Sequence, residues 1–208
     1  MLAIVDYGVG NVFSIQSSLK HLGIASCISK DAAEIETADQ LILPGVGAFG
    51  DAKAMLDSSG LIPVIRNQVA QGTPLLGICL GMQLLFEESE EFGSHLGLGL
   101  IKGKITSLKS QFQAQHLDLK VPHIGWNTLA QHRSSPITKY ISQDSFVYYV
   151  HSYYATECQE ALIADSQYGL SIPGIVQQGH VYGTQFHPEK SGDTGLKILK
   201  AFAEVNKG

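Results

Sequence analysis

The chain has 208 residues, a formal net charge of −5 at neutral pH, 44% hydrophobic residues and 16% charged residues. These values are ordinary for a globular protein with one hydrophobic core, so we expect a single domain over residues 1–208. The sequence has no cluster of Lys and Arg suited to a polyanion, and no apolar run approaches the ~18 residues of a membrane helix. We therefore expect neither a nucleic-acid partner nor a membrane partner.

The three cysteines are Cys27, Cys79 and Cys158, and no two of them have CxxC spacing. An odd number of cysteines without that spacing favours free thiols in a reducing compartment and argues against a metal site. The first apolar run, residues 2–5, has no basic segment before it, so we interpret it as a strand and not as a signal peptide. We expect a cytoplasmic protein that has no metal and no other cofactor.

Strand-like and helix-like segments alternate over the first half of the chain, which predicts a parallel sheet with helical crossovers. Asn11 can cap the first helix and Gly23 can end it. The predicted strands are 2–6, 24–28, 40–43 and 74–78, and the predicted helices are 12–22, 51–58 and 61–71.

After Gly93 the sequence changes to short β-rich segments separated by turn residues, and it ends in an amphipathic helix over 195–205. The fold class that we predict is α/β, with a flavodoxin-like, mostly parallel central sheet flanked by helices and an added antiparallel β-rich portion. We predict a mobile loop over the polar stretch 107–120. The β-rich segments are 98–108, 146–155, 175–178 and 181–186.

The segment GICLGMQ, residues 77–83, follows the apolar run 74–76 and precedes a helix-like stretch, 84–87. This pattern predicts a strand-to-helix elbow at Cys79, where glycine neighbours are needed because the turn is tight. The helix start offers unpaired amides and a positive dipole end, which favour a thiolate and can stabilise an oxyanion. A buried structural cysteine is the alternative, and acyl-transfer chemistry is the functional interpretation.

A thiol nucleophile needs a base, and His187 is the strongest candidate among eight histidines. Pro188 forces a sharp exit from the preceding strand-like run, and Glu189 can fold back to orient the imidazole as the third member of a triad. A plain surface turn is the alternative reading of this tripeptide. His123 and His151 have no carboxylate two positions away, so we expect them to pack beside aromatic neighbours or to line a pocket.

The segment PGVGAFG, residues 44–50, carries three glycines directly after a predicted strand, so its amides can approach a ligand closely. In a doubly wound sheet this loop and the cysteine elbow both lie at the carboxyl ends of strands, where such folds bind ligands. Gln83 lies four residues after Cys79 on the same helix face and can anchor a polar substrate. We interpret the acidic run 87–91 as a solvated helix end.

Taken in this order, the segments resemble a class I, triad-type glutamine amidotransferase domain over nearly the whole chain. The class-level motifs are the glycine-rich loop, GICLGMQ and the HPE element at 187–189. Within the class, the chain is similar to the glutaminase subunits of imidazole glycerol phosphate synthases of histidine biosynthesis. The segments that carry this resemblance are DYGVGN at 6–11, PGVGAFG at 44–50, CLGMQLLFEESEE at 79–91, PHIGWN at 122–127, VHSYYA at 150–155 and QFHPEKSG at 185–192.

The resemblance implies catalytic roles for three residues. Cys79 would attack the side-chain amide of glutamine, His187 would be the acid and base, and Glu189 would orient His187, with glutamate and ammonia formed through a glutamyl thioester. The resemblance also implies an oxyanion hole and a substrate site. The oxyanion hole would comprise the amide of Leu80 and the loop around Val46 and Gly47, and the amino-acid end of glutamine would be held by Gly47, Gln83, Glu91, Ser152 and Tyr153.

The resemblance further implies a heterodimer with a separate (β/α)₈-barrel cyclase subunit. In that subunit ammonia reacts with a phosphoribulosyl aminoimidazole-carboxamide nucleotide, and the products are imidazole glycerol phosphate and an aminoimidazole carboxamide ribonucleotide. Asn11, Trp126 and Lys190 fall in segments that face the cyclase in this family, although Trp126 as plain core is an alternative. The resemblance also implies weak glutaminase activity, which is common in this family until the partner and its nucleotide bind.

Three other functions fit parts of the pattern. Another class I glutaminase, such as the small subunit of anthranilate synthase or the pyridoxal-phosphate-forming amidotransferase, would share the triad but supply a different acceptor. A cysteine hydrolase of γ-glutamyl peptides would act without a partner. A non-catalytic regulatory subunit would keep the fold, but intact Cys79, His187 and Glu189 argue against it.

Overall fold

The computed structural model describes residues 1–206, so the last two residues of the predicted domain 1–208 lie outside the described part. A nine-stranded sheet crosses the molecule in the order β2-β1-β3-β4-β13-β12-β11-β8-β9. The first five strands of this order are parallel, in the 2-1-3-4-5 arrangement of flavodoxin-like folds. They are β1 (Leu2–Val5), β2 (Ser26–Ser29), β3 (Gln40–Leu43), β4 (Leu75–Ile78) and β13 (Val181–Thr184).

The remaining four strands of this sheet are antiparallel, and a second sheet of four short strands has the order β10-β7-β5-β6. The predicted α/β class with an antiparallel β-rich portion is confirmed. The antiparallel strands of the large sheet are β8 (His123–Gln131), β9 (Ser145–His151), β11 (Leu162–Tyr168) and β12 (Leu170–Gln178). The second sheet contains β5 (Glu88–Ser89), β6 (His95–Leu96), β7 (Lys104–Ser107) and β10 (Tyr153–Thr156).

Helices cover both faces of the parallel strands, which is why β1, β3 and β4 carry apolar residues on both faces. Within β1, Ala3 and Val5 face the core under α2, α3 and α4, whereas Leu2 and Ile4 face α1 and α7. None of the helices in residues 1–206 is long and apolar enough to cross a membrane. The helices are α1 (Val12–His21), α2 (Ala32–Glu36), α3 (Phe49–Ser58), α4 (Ile62–Ala70), α5 (Leu80–Leu84), α6 (Leu108–Ala114) and α7 (Gly192–Ala203).

The predicted mobile loop over 107–120 is wrong, because α6 occupies residues 108–114. The Ser107 hydroxyl caps this helix by accepting from the Ser110 amide at 3.3 Å. Leu108 and Phe112, one turn apart, are buried against Tyr154 and Ile172. Because the stretch is mostly polar, its sequence does not indicate that these two apolar residues anchor a helix.

The acidic run 87–91 is not the end of a helix, since α5 stops at Leu84 and the chain continues into β5. The Glu87 carboxylate accepts from the Gly103 amide at 2.9 Å, and the Glu90 carboxylate accepts from the Ser107 amide at 2.8 Å. These hydrogen bonds connect the acidic run to Gly103 and to Ser107 at the end of β7, and so stabilise the second sheet. The predicted strand 98–108 forms only at 104–107, because the amides of residues 98–101 donate instead to the carbonyls of Leu84, Leu85 and Phe86.

Two smaller differences from the predicted elements concern the cap of α1 and the continuity of one predicted strand. Asn11 precedes α1 as predicted, but its side chain makes no capping hydrogen bond, while Gly23 follows the helix with a φ of 72°. The predicted strand 146–155 is interrupted at Ser152, where the chain passes from β9 in the large sheet to β10 in the small sheet. This crossing brings residues 150–153 to the carboxyl ends of β4 and β13.

Candidate active site

Cys79 occupies a strained turn between β4 and α5, with a φ of 54° and a ψ of −111°. Its amide donates to the Thr184 carbonyl of β13 at 2.7 Å, which fixes the backbone at this point. A Cβ atom at Gly81 would lie 1.9 Å from the carbonyl oxygen of Leu43, and one at Gly77 would lie 2.7 Å from the carbonyl oxygen of Gly81. The glycines on either side of the cysteine are therefore required for the elbow to close.

His187 follows β13, and a single 3₁₀ turn, Pro188–Lys190, brings Glu189 back toward it. The Nδ1 atom of His187 lies 2.9 Å from Oε1 of Glu189, and both side chains are almost fully buried. Burial by itself lowers the pKa of His187, but the hydrogen bonds and charges of Cys79 and Glu189 outweigh it and raise the pKa to about 9. With Nδ1 directed at the carboxylate, Nε2 is available to the sulfur, as in a nucleophile, base and acid triad.

A cavity of about 340 Å³ opens beside the sulfur, within the size range of sites for small molecules. It brings together all of the predicted oxyanion-hole and substrate-binding residues with Cys79, His187 and Lys190. Asn11 and Trp126 do not line it. Within residues 1–206, no three His, Cys, Asp or Glu side chains converge to hold a metal ion. The lining residues are Val46, Gly47, Cys79, Leu80, Gln83, Glu91, Pro122, Val150, His151, Ser152, Tyr153, His187 and Lys190.

The glycine-rich loop joins β3 to α3 and lies against the start of α5. A Cβ atom at Gly45 would lie 2.6 Å from the Gly81 amide nitrogen, so only glycine allows this approach. Gly47 has a φ of 94° and lines the cavity beside Val46 and Leu80. Leu80, the first residue of α5, and the loop residues Val46 and Gly47 thus line the same cavity as the sulfur of Cys79.

Glu91 is buried at the edge of the cavity, and no local pattern in the sequence indicates this. Its carboxylate accepts from the Phe49 amide at 2.7 Å and so caps α3, whose own capping residue is Ala48. Desolvation raises the pKa of Glu91, and the hydrogen bond from the Phe49 amide and the charge of His95 partly offset this. One buried carboxylate therefore faces the ligand space and also holds the helix that follows the glycine-rich loop.

Gln83 is almost fully buried, and its amide nitrogen is committed to the protein. Its Nε2 donates to the Tyr153 carbonyl at 2.9 Å and to Oε1 of Gln185 at 3.1 Å. Only its oxygen remains for a ligand, so Gln83 can accept a hydrogen bond but cannot donate one. Sequence reasoning did not single out Gln185, whose position beside the site follows from the pairing of β13 with β4.

His123 and His151 are packed side chains, as predicted, and His151 also lines the cavity. The His123 ring stacks between Tyr149 and Tyr168, with ring centroids 4.7 and 4.1 Å away. Burial lowers the pKa of His123 to about 4, and burial and the neighbouring His123 lower that of His151 to about 3. Both rings are neutral at physiological pH.

Trp126 is 55% exposed, so the alternative that it belongs to the core is wrong. It lies opposite Tyr148 across the β8–β9 ladder and packs edge-on against that ring, with centroids 5.9 Å apart. Ile124 and Phe146 are also exposed and lie on the same face of this two-stranded edge. The edge of the large sheet thus presents an apolar, aromatic face.

The fold, the cysteine elbow and the His187–Glu189 pair define a class I glutamine amidotransferase. Residues 3–205 match the family model described as glutamine amidotransferase class-I, and the chain belongs to this family. Two solved structures share its fold. One is described as a glutamine amidotransferase, with a TM-score of 0.74 and 21% identity over 98% of this chain and 99% of that one. The other is PurLQS from Thermotoga maritima, with a TM-score of 0.76 and 18% identity over 97% of this chain and 96% of that one.

Three similar proteins are named imidazole glycerol phosphate synthase subunit HisH. The protein of Bacillus licheniformis is 49% identical over 100% of this chain and 97% of its own length. That of Geobacillus kaustophilus is 47% identical over 100% of this chain and 98% of its own length. That of Bacillus subtilis is 46% identical over 99% of this chain and 96% of its own length.

Proposed function

We propose that this chain is the glutaminase subunit of an imidazole glycerol phosphate synthase in histidine biosynthesis. The observation that carries the proposal is the strained Cys79 elbow beside the buried His187–Glu189 pair, on one cavity with the glycine-rich loop. The full-length similarity to HisH subunits of such synthases supports the particular acceptor. Residues 1–208 then act as one glutaminase domain.

The reaction begins when His187 takes the thiol proton of Cys79 and the sulfur attacks the side-chain amide carbon of glutamine, so that a carbon–sulfur bond forms. The carbonyl oxygen becomes an oxyanion, which the amides of Leu80 and of the loop around Val46 and Gly47 stabilise. His187 gives a proton to the departing nitrogen, the carbon–nitrogen bond breaks, and ammonia and a glutamyl thioester result. His187 then removes a proton from water, which attacks the thioester carbon. The carbon–sulfur bond breaks, His187 returns the proton to the sulfur, and glutamate and the thiol of Cys79 are released.

The amino-acid end of glutamine is held by the other lining residues. The carboxylate of Glu91 and the free oxygen of Gln83 are both acceptors, which suits the α-ammonium group of the substrate. Gly47, Ser152 and Tyr153 surround the remaining space, where their backbone groups can meet the α-carboxylate. A ligand without the ammonium group would leave the buried Glu91 uncompensated, so binding discriminates against it.

The partner is a (β/α)₈-barrel cyclase subunit, and the two chains form a heterodimer. The word subunit in the names of the relatives and the exposed face around Trp126 support an assembly. Lys190 is exposed yet lines the cavity, so a partner that contacts Asn11, Trp126 and Lys190 would cover the mouth of the cavity. Covering it keeps ammonia from water until the nucleotide acceptor receives it.

The compartment that we propose is the cytoplasm. Cys27, Cys79 and Cys158 are all free thiols, and Cys79 must remain reduced to act as a nucleophile. A reducing compartment meets that requirement.

The glycine-rich loop also offers a basis for control by the partner. A Cβ atom at Gly47 would meet no heavy atom within 4 Å, so space exists for the adjoining peptide to turn. In the resting subunit a carbonyl near Val46 would point into the oxyanion hole, and the partner with its nucleotide would turn it outward. Structures of the free subunit and the liganded complex test this, and an amide already pointing inward in the free subunit would contradict it.

The proposed function is tested by measuring glutamate formation from glutamine by the chain alone and with the cognate cyclase and its nucleotide. Imidazole glycerol phosphate is followed in the same reaction. We expect strong stimulation by the partner, with one product molecule for each glutamate. Hydrolysis that is independent of the partner, with no imidazole product, would mean that the chain supplies ammonia to a different acceptor.

A further inference from the structure

Gln185 is fully buried beside the nucleophile and has no role in the mechanism above. It follows β13, whose last residue accepts the Cys79 amide, so the backbone carries the two side chains next to each other. The Nε2 atom of Gln185 lies 3.9 Å from the sulfur of Cys79. A donor in this position faces the charge that forms when the thiol loses its proton.

The orientation of the Gln185 amide is fixed by a carbonyl that can only accept. The Tyr153 carbonyl lies 2.9 Å from one end of the Gln83 amide, which must therefore be the nitrogen. The same nitrogen then donates its second hydrogen at 3.1 Å, so the atom of Gln185 that it meets is the oxygen. The nitrogen of Gln185 consequently points at the sulfur.

A second set of hydrogen bonds holds the Tyr153 carbonyl from the other side. Nδ1 of His151 donates to it at 2.9 Å, which leaves Nε2 of His151 as an acceptor for Nδ1 of His123 at 3.0 Å. Nε2 of His123 in turn accepts from the Asn127 amide at 3.4 Å. Because both rings are neutral, each hydrogen bond in this series has one defined direction. The series of hydrogen bonds therefore connects β8, beside Trp126, to the sulfur of Cys79.

We infer that Gln185 stabilises the thiolate of Cys79 through its side-chain N–H, in an orientation that the Tyr153 carbonyl imposes through Gln83. In the thiol form the sulfur can instead donate to the Val150 carbonyl, also 3.9 Å away. The inference rests on the proposed function only in taking the thiolate as the reactive form. Loss of the N–H is expected to shift the balance toward the thiol.

Other titratable groups face the same sulfur and must be held constant. His187 approaches from the end of β13, backed by Glu189 and near His151. The Tyr7 phenol faces Cys79 from the loop after β1 and donates to the Pro44 carbonyl at 2.8 Å. A variant that changes only Gln185 leaves all of them in place.

The test is the pH dependence of alkylation of Cys79 by iodoacetamide in the free chain, without glutamine or partner. Peptide mass spectrometry separates Cys79 from Cys27 and Cys158, which serve as internal references. Gln185→Met keeps the length of the side chain but removes the donor. We expect its Cys79 alkylation midpoint to move upward by about one pH unit, as a hydrogen bond to a charged group implies.

Gln68→Met is the matched control, because Gln68 is also a buried glutamine with both ends of its amide bonded, at Glu36 and Thr73. It lies in α4, away from the site, and is expected to leave the Cys79 midpoint where it is in the parent chain. An unchanged midpoint in a folded Gln185→Met chain would overturn the inference.

Gln83→Met is the second variant, and it decides the question if Gln185→Met fails to fold. It removes the donor that holds the Gln185 oxygen away from the sulfur, so the midpoint is expected to move upward by a smaller amount. No shift in this variant would refute the imposed orientation. Alkylation requires neither glutamine nor partner, so these outcomes are independent of the glutaminase assay that tests the proposed function.

Discussion

At the scale of single residues, Cys79 and His187 depend on neighbours that restrict them in different ways. The backbone holds Cys79, through a φ of 54° and a hydrogen bond from its amide to the Thr184 carbonyl. A side chain holds His187, through the 2.9 Å contact between its Nδ1 and Oε1 of Glu189. The second oxygen of Glu189 is buried without a hydrogen-bond partner within residues 1–206, so its charge is compensated mainly by His187.

Replacing Glu189 by Gln is predicted to keep the shape of the site and to remove the charge that supports the imidazolium. The pKa of His187, about 9 in the parent chain, is expected to fall because one of its stabilising charges is lost. We expect kcat for glutamine hydrolysis in the assembled complex to drop by about 100-fold or more. The pH profile of kcat/KM reports the shift of the base.

Glu88→Gln is the control for this change, since Glu88 is an exposed carboxylate on β5. Its kcat is expected to equal that of the parent complex. A Glu189→Gln complex that hydrolyses glutamine at the parent rate would remove Glu189 from the triad.

At the scale of secondary-structure elements, the site depends on how closely β3, β4 and α5 approach one another. Gly81, in the first turn of α5, lies against the carbonyl of Leu43 at the end of β3. Backbone atoms form this contact, so no side chain can move aside to relieve a clash. The elbow that places Cys79 at the cavity therefore also joins three elements.

Gly81→Ala is predicted to lower the free energy of unfolding by about 3 kcal/mol or more, because the new methyl group would meet backbone at 1.9 Å. Gly60→Ala is the matched control, since its methyl group would enter open space and only the left-handed backbone is penalised, at about 1 kcal/mol. Urea denaturation compares the two. Equal losses in both variants would show that the contact with β3 is not tight.

The sequence predicts the parallel core well because strands buried on both faces leave apolar runs, as in β1, β3 and β4. It does not predict α6, since the burial of Leu108 and Phe112 depends on Tyr154 and Ile172, which are distant in the chain. Local composition cannot reveal a long-range contact of that kind.

The residues of the candidate site also differ in whether the sequence predicts them, depending on whether their placement follows from local signals or from long-range contacts. Cys79, His187 and Glu189 are predictable because glycine spacing and a proline turn are local signals. The position of Gln185 beside the site is not predictable, because it follows from the pairing of β13 with β4. The burial of Glu91 is not predictable either, because it depends on a hydrogen bond from the Phe49 amide of α3. Only the assembled fold makes these groups neighbours of the cavity.

At the scale of the whole molecule, buried histidines link stability to pH in opposite directions. The pKa values of His123 and His151 are lowered in the folded chain, so the unfolded chain binds more protons between about pH 4 and its ordinary histidine pKa of about 6.5. Their contribution is complete above that ordinary value and is lost as the pH falls. His187 has a raised pKa, so its contribution is complete below about 6.5 and is lost as the pH rises toward about 9.

His123→Gln is predicted to flatten the acid side of the stability curve. The number of protons taken up on unfolding near pH 5, obtained from the slope of unfolding free energy against pH, is expected to fall by about one. His180→Gln, at an exposed histidine, is expected to keep the parent slope. A parent-like slope in the His123 variant would show that this ring is protonated in the folded protein.

The exposed face of the β8–β9 edge is predicted to bind the cyclase subunit. Trp126→Ala is expected to weaken the complex by about 10-fold to 100-fold, since aromatic anchors carry much of the energy of such interfaces. Leu96→Ala, at an exposed apolar residue of the second sheet, serves as the control. Calorimetric titration measures both affinities, and equal values for the two variants would place the interface elsewhere.

The central claim is that Cys79 generates ammonia here for a reaction carried out on a partner subunit. The most direct measurement is formation of imidazole glycerol phosphate by the complex carrying Cys79→Ala, with glutamine and then with an ammonium salt as the nitrogen source. We predict no product from glutamine and parent-like product from ammonium at high pH. Product from glutamine in this variant, or none from ammonium, would contradict the account.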